Sequence, residues 1–121
     1  MKALSDNQIR SLVDEFYTDS QEDIVGLFAI AQAVEDILGQ DPDSVREQTL
    51  RVVEALLDRG MLAGNSPYHP HGYQPWADQD RNALLKRIRS EWLRLGHSLS
   101  IPDIAWFGPS EEGATSRTST R

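Results

Sequence analysis

Apolar residues recur at the spacing of an amphipathic helix in four separate stretches of this chain, and caps or glycines separate the stretches. In the first stretch they lie at i, i+3, i+4 and i+7: Ile9, Leu12, Val13 and Phe16. Ser5 and Gln8 precede them with the spacing of a capping box. This pattern predicts a helix that begins after Ser5 and stops near Tyr17.

A second helix is predicted from Ser20 to about Leu38. Ser20 is a suitable N-cap, Glu22 and Asp23 would lie in the first turn, and Gly39 is a natural stop. The helix has little polar surface beyond its first turn, so we expect it to be the central and most buried helix.

Asp41 and Pro42 begin a third helix as N-cap and first helical residue, and Gly60 ends it. One face carries the side chains expected in the core: Val45, Thr49, Val52, Val53, Leu56 and Leu57. The opposite face has charges spaced for ion pairs one turn apart: Glu47, Arg51, Glu54 and Asp58.

A fourth helix is predicted over residues 78–95, closed by Gly96, with one apolar face: Leu84, Leu85, Ile88, Trp92 and Leu95. Residues 61–77 contain several prolines and glycines and read as a loose hairpin or long loop. The apolar run at 104–107 is expected to form a short strand that pairs with this region and lays Trp106 on the core.

These patterns predict a mainly α (α+β) fold with about four helices, a small β-hairpin and a short C-terminal strand. Residues 1–107 are expected to form one helical domain. Residues 108–121 have no large apolar side chain, which predicts a disordered tail.

The sequence gives no catalytic or metal-binding motif, and we expect a protein that is not an enzyme and has no cofactor. The chain has no cysteine, which excludes disulfides and thiolate ligands. His69 and His71 form a His-x-His pair between prolines, which we interpret as solvated loop residues. No segment resembles a signal peptide or a membrane span, so a cytoplasmic location is expected.

Charge is distributed unevenly along the chain. Residues 1–44 contain ten acids and two bases, whereas residues 45–121 contain nine acids and ten bases, and the whole chain has a net charge of −7. The acidic third predicts a surface that attracts a cationic partner. The alternative is that these acids only keep a small protein in solution.

Two further features allow both a structural and a functional interpretation. The fourth helix carries four bases on its outward face that could follow phosphates or balance acids of the same molecule: Lys86, Arg87, Arg89 and Arg94. Tyr73, Trp76 and Trp106 could anchor a partner, although such residues more often cover a small core.

Two resemblances bear on fold and function. Helices followed by a segment beginning LLDRGMLAG resemble the order of a winged-helix domain, whose helix before the wing reads DNA. Residues 87–107, RIRSEWLRLGHSLSIPDIAWF, are similar to a pattern in small uncharacterised bacterial proteins, some of which resemble immunity proteins of polymorphic or contact-dependent-inhibition toxins. The second resemblance rests on structural residues and implies no functional residue.

Together these observations favour an immunity protein that neutralises a basic toxin domain. The pool of acids expected to contact it is Asp14, Glu15, Asp19, Glu22, Asp23, Glu35 and Asp36. The alternatives are a winged-helix-like regulator that binds DNA through the basic face of the fourth helix, and a homo-oligomeric adaptor. DNA binding through the third helix itself is unlikely, because its exposed acids would repel phosphates.

Overall fold

A computed structural model describes residues 2–67, 70, 72–95 and 104–109 of the chain. Four helices and a small sheet make up these parts, which confirms the mainly α (α+β) prediction. The helices are α1 (Asp6–Ser20), α2 (Leu27–Leu38), α3 (Pro42–Asp58) and α4 (Arg81–Leu95). The strands are β1 (Val25–Gly26), β2 (Leu62–Gly64) and β3 (Trp106–Gly108).

Helix α1 begins as the sequence predicts but runs further. Ser5 caps it, and both hydrogen bonds of the capping box with Gln8 are present. Ser20 is the last residue of α1 rather than the N-cap of α2, and its Oγ donates to the Tyr17 carbonyl oxygen at 2.6 Å. Glu22 and Asp23 therefore lie in the turn after α1, outside any helix.

The reason for this difference is strand β1, which the sequence did not reveal. Val25 pairs with Phe107 and Gly26 with Trp106, and α2 starts only after these two extended residues. Gly26 leaves room for aromatic packing, since a Cβ there would lie 2.6 Å from the ring of Phe28. Pairing with a distant strand thus overrides the local helix signal.

The central helix is α3 and not α2. Helix α3 packs against α1, α2 and α4, and Val52, Val53 and Leu56 are fully buried. Helix α2 packs on α3 and β1 and leaves Ile37 42% exposed on its outer side. Its predicted end is confirmed, because Gly39 follows it with a φ of +87° that favours glycine.

The sheet is antiparallel with β3 between β1 and β2. The predicted pairing of the C-terminal strand with the 61–77 region is confirmed, and Trp106 is only 8% exposed. Residues 62–65 also meet residues 74–76 through two backbone hydrogen bonds, from Trp76 N to Ala63 O at 2.9 Å and from Asn65 N to Gln74 O at 3.1 Å. The region is therefore the loose hairpin that the sequence suggested, and it covers the outer edge of β2.

Helix α4 starts at Arg81, three residues after the predicted start, because Asp80 provides the N-terminal cap through a 3.0 Å hydrogen bond from Ala83 N. Leu84, Ile88 and Trp92 are buried as expected, but Leu95 is 53% exposed and does not belong to the core face. In chain order α3 is followed by β2, α4 and β3, so helix α4 separates the two paired strands β2 and β3.

Several predictions fall wholly or partly outside the described residues. These concern His69, His71, Gly96 and the tail from residue 110, whereas Gly108 belongs to β3. Among the residues described, no helix combines the length and apolar character needed to cross a membrane.

Candidate functional site

Four exposed acids lie together at the C-terminal end of α1. Glu15 and Asp19 lie one turn apart on the helix, and Glu22 and Asp23 follow in the adjoining turn. All four side chains are exposed, and none forms an ion pair within the described part of the chain. We call this group of four residues the acidic end of α1. No basic residue is near it in the sequence, because residues 11–45 contain no lysine, arginine or histidine.

Backbone electrostatics strengthen the negative potential at this position. The last turn of α1 contains Asp19 and no basic residue, and the helix dipole places partial negative charge at the same end. The side-chain donor at this helix end is a neutral amide and not a cation: Gln21 Nε2 donates to the Tyr17 carbonyl oxygen at 3.2 Å. Acids at a helix C-terminus cost stability, so their presence favours a role other than folding.

Asp14 differs from its neighbours because its charge is already compensated. Arg59 Nη1 lies 2.6 Å from Asp14 Oδ1, and the Arg59 guanidinium carbon lies 4.2 Å from the centre of the Tyr17 ring. A partner that used Asp14 would have to compete with this internal contact.

Glu35 and Asp36 lie apart from the acidic end of α1. They occupy the last turn of α2, where Lys2 Nζ donates to the Leu38 carbonyl at 3.0 Å. This contact places the end of α2 beside the segment preceding α1, and the 15 residues of α1 span about 22 Å. The seven predicted residues therefore form two groups at opposite ends of α1, with Asp14 partly neutralised.

The basic face of α4 is partly used inside the molecule. Arg89 pairs with Glu47 of α3 at 2.8 Å. Arg87 pairs with Glu91 at 2.9 Å, and its guanidinium carbon lies 3.5 Å from the centre of the Trp76 ring. Lys86 and Arg94 are exposed and, within the described residues, have no ion pair. Contacts within the molecule therefore account for two of the four bases, Arg87 and Arg89.

The charged face of α3 does not form the predicted ion pairs along its own helix; its acids pair with α4. Arg81 lies 2.6 Å from Asp58 and 3.8 Å from Glu54, while Arg89 bonds Glu47. Helix α4 thus lies over the face that would have to enter a DNA groove in a winged-helix protein.

Between α3 and α4 the structure also has an open groove of about 370 Å³ that the sequence did not predict. Its lining combines charged, amide and apolar side chains: Glu47, Gln48, Leu50, Arg51, Glu54, Asn82, Leu85, Lys86 and Arg89. The residues come from helices separated by more than twenty positions, so no local motif marks the groove.

The aromatic residues considered as partner anchors mainly serve packing. Tyr73 Oη donates to the Leu62 carbonyl at 2.8 Å, and burial raises the pKa of this phenol to about 12. Trp106 packs edge-on against Phe28 with ring centres 5.7 Å apart. Trp76 is partly buried against the core beneath Arg87.

No cluster of three or more metal-ligating side chains occurs among the described residues. Comparison with known proteins adds no identification, because no family model, curated protein or solved structure matches the chain.

Proposed function

We propose that this protein acts by binding a basic protein domain through the acidic end of α1, and not by catalysis. The observation that carries the proposal is the position of Glu15, Asp19, Glu22 and Asp23, all exposed at a helix C-terminus without a compensating base among the described residues. The nearest compensated acid, Asp14, has Arg59 as its partner.

Electrostatic attraction is the mechanism by which this surface would bind its partner. Carboxylates concentrated at one end of a helix steer a cationic partner into a productive encounter and raise its association rate. A nuclease or another toxin that binds phosphates would have such a cationic site. Covering that site with carboxylates would exclude the substrate, which is how an immunity protein would act here. The proposal includes a cytoplasmic location in a bacterial cell.

The arrangement of α3 and α4 makes DNA binding a weaker alternative. Phosphates approaching α3 would meet α4 and three carboxylates, Glu47, Glu54 and Asp58. A DNA-binding surface on α4 would have to use Lys86 and Arg94, or it would have to break the contacts of Arg87 and Arg89. Either route offers few phosphate contacts, and affinity for DNA depends on their number.

Affinity capture from bacterial cells that contain the natural partner tests the proposal. The tagged protein would be compared with a variant neutralised at the acidic end of α1: Glu15→Gln, Asp19→Asn, Glu22→Gln and Asp23→Asn. A matched control removes four charges from other described parts of the chain: Glu35→Gln, Asp36→Asn, Asp43→Asn and Asp78→Asn.

We expect one basic polypeptide to be retained near stoichiometry at low salt by the wild type and the control, and lost with the first variant. Retention of that polypeptide by all three proteins would contradict a role for the acidic end of α1. Recovery of DNA in place of a polypeptide would support the winged-helix alternative, and recovery of the protein alone would support self-association.

A further inference from the structure

The groove between α3 and α4 is a second surface with features of a binding site, and it is independent of the acidic end of α1. Its volume of about 370 Å³ falls within the range of pockets that hold small molecules. Leu50 and Leu85 supply an apolar part, and the other lining residues are polar or charged.

Gln48 presents an unused hydrogen-bond donor at this groove. The residue is only 6% exposed, and its Oε1 accepts from Leu4 N at 3.1 Å and from Arg51 Nη1 at 2.7 Å. Because both neighbours are donors, the amide oxygen must face them, which fixes the orientation of the amide. Nε2 then lies on the other side and has no hydrogen bond to a described residue. It is not among the fully buried side-chain atoms that lack a partner, so solvent reaches it. An acceptor on a ligand could therefore take the place of water at this donor.

The charges that line the groove favour an anion as that acceptor. The lining has three cations and two acids, although the chain as a whole is strongly acidic. Arg89 and Glu47 pair with each other, which leaves Arg51 and Lys86 against Glu54. Glu47 is neutralised by Arg89 at 2.8 Å and by Arg46 at 2.9 Å. Lys86 has no ion pair among the described residues, so its ammonium group is available.

Arg51 adds a cation whose position is fixed in advance. Its Nη1 donates to the Leu4 carbonyl at 3.2 Å as well as to Gln48, and Asp6 lies 3.8 Å from its Nη2. The Asp6 side chain is 94% exposed, so this contact neutralises Arg51 only weakly.

We propose that this groove binds a small organic carboxylate with a short apolar body. Lys86 and the Gln48 amide bind the carboxylate, Arg51 adds positive potential, and Leu50 and Leu85 contact the apolar body. A carboxylate suits this set because its oxygens only accept, whereas Lys86, Arg51 and the Gln48 amide donate. Glu54, the lining acid that has no partner within the groove, lies 3.8 Å from Arg81 of α4.

Titration of the ¹⁵N-labelled protein with hexanoate, followed by NMR, tests this proposal. We expect saturable shifts of the side-chain amide signals of Gln48 and Asn82. Hexylammonium, which has the same apolar body and the opposite charge, should give no such shifts, and inorganic phosphate should give much weaker ones.

Two variants and a control give the test its specificity. Lys86→Met should weaken hexanoate binding about tenfold, the effect of losing one charged hydrogen-bond partner. Gln48→Glu keeps the acceptor for Leu4 N, removes the donor and adds negative charge, so it should abolish binding. Arg94→Met lies on the same helix but outside the groove lining, and it should bind as the wild type does.

Unsaturable shifts, equal responses to hexanoate and hexylammonium, or equal loss of affinity in Lys86→Met and Arg94→Met would each overturn the proposal. If Gln48→Glu fails to fold, the comparison of Lys86→Met with Arg94→Met still decides, since both positions are exposed. None of these outcomes depends on whether the acidic end of α1 binds a protein.

Discussion

Arg89 and Glu47 join α4 to α3 through two hydrogen bonds, from Arg89 Nη2 to Glu47 Oε1 at 2.8 Å and from Arg89 Nε to Glu47 Oε2 at 3.3 Å. Arg46 adds a third at 2.9 Å. The bonds from Arg89 and then from Arg46 hold the pKa of the Glu47 carboxyl below its ordinary value, although partial burial opposes them. A charge that looks available on α3 in the sequence thus serves to hold α4 in place.

Glu47→Gln should therefore destabilise the protein by about 1 kcal/mol at neutral pH. The folded-state pKa of Glu47 is depressed, so its contribution is present above the unfolded pKa and is lost as pH falls through the folded value. Urea unfolding of both proteins at pH 7 and near pH 3 checks this. The difference in unfolding free energy should shrink at the lower pH; Glu22→Gln is the control, and a pH-independent difference would contradict the account.

The two ends of α1 should respond oppositely to the same substitution. Asp6 lies in the first turn of α1 and Asp19 in its last turn, so the helix dipole favours the first carboxylate and disfavours the second. Asp6→Asn should lower the free energy of unfolding and Asp19→Asn should raise it, each by about 0.3–1 kcal/mol. Thermal and urea unfolding at low salt measure both; a loss of stability in Asp19→Asn would show that this acid is structural.

Thr49 offers a test of the core of α3. Its side chain is fully buried, and Oγ1 has no hydrogen-bond partner among the described residues. Thr49→Val removes this unsatisfied hydroxyl at nearly constant shape and should stabilise the protein by about 1 kcal/mol. Ser44 is the contrasting case, because its Oγ accepts from Lys2 N at 2.9 Å and donates to Asp41 at 2.6 Å. Ser44→Ala should lower the free energy of unfolding, whereas Thr49→Val should raise it. Urea unfolding of both variants measures these two changes.

Tyr73 should make stability depend on pH in the alkaline range. Burial raises its pKa to about 12 from an ordinary value of 10.0, so the folded state keeps a proton that the unfolded state loses. The contribution is complete below pH 10 and declines as pH rises toward 12. Urea unfolding between pH 9 and pH 11 should show the wild type approaching Tyr73→Phe in stability. Tyr17→Phe, which leaves Tyr73 in place, should keep the decline; a constant gap between wild type and Tyr73→Phe would refute it.

Local signals predicted those parts of the fold that local interactions determine. The Ser5 cap, the Pro42 start of α3 and the Gly39 stop of α2 depend on residues within one turn, and all three are as expected. The pairing of 104–107 with 61–77 was also predictable, because so apolar a run needs partners away from water.

The failures share a long-range cause. Strand β1 forms because Val25 meets Phe107, more than eighty residues away, and this pairing ends the helix signal that begins at Ser20. The central position of α3 depends on α4, which packs over the charged face of α3. In the sequence, the charges on that face made it look solvent-exposed. The groove and the neutralisation of Asp14 by Arg59 likewise arise only when distant segments come together.

The most direct test of the central claim is the association rate constant of the captured partner, measured by stopped-flow fluorescence at several salt concentrations. The wild type and the control neutralised at Glu35, Asp36, Asp43 and Asp78 should associate fast, with rates that fall steeply as salt increases. Neutralising Glu15, Asp19, Glu22 and Asp23 should slow association by at least about tenfold at low salt and flatten its salt dependence. Equal rates and equal salt dependence in all three proteins would contradict binding through the acidic end of α1.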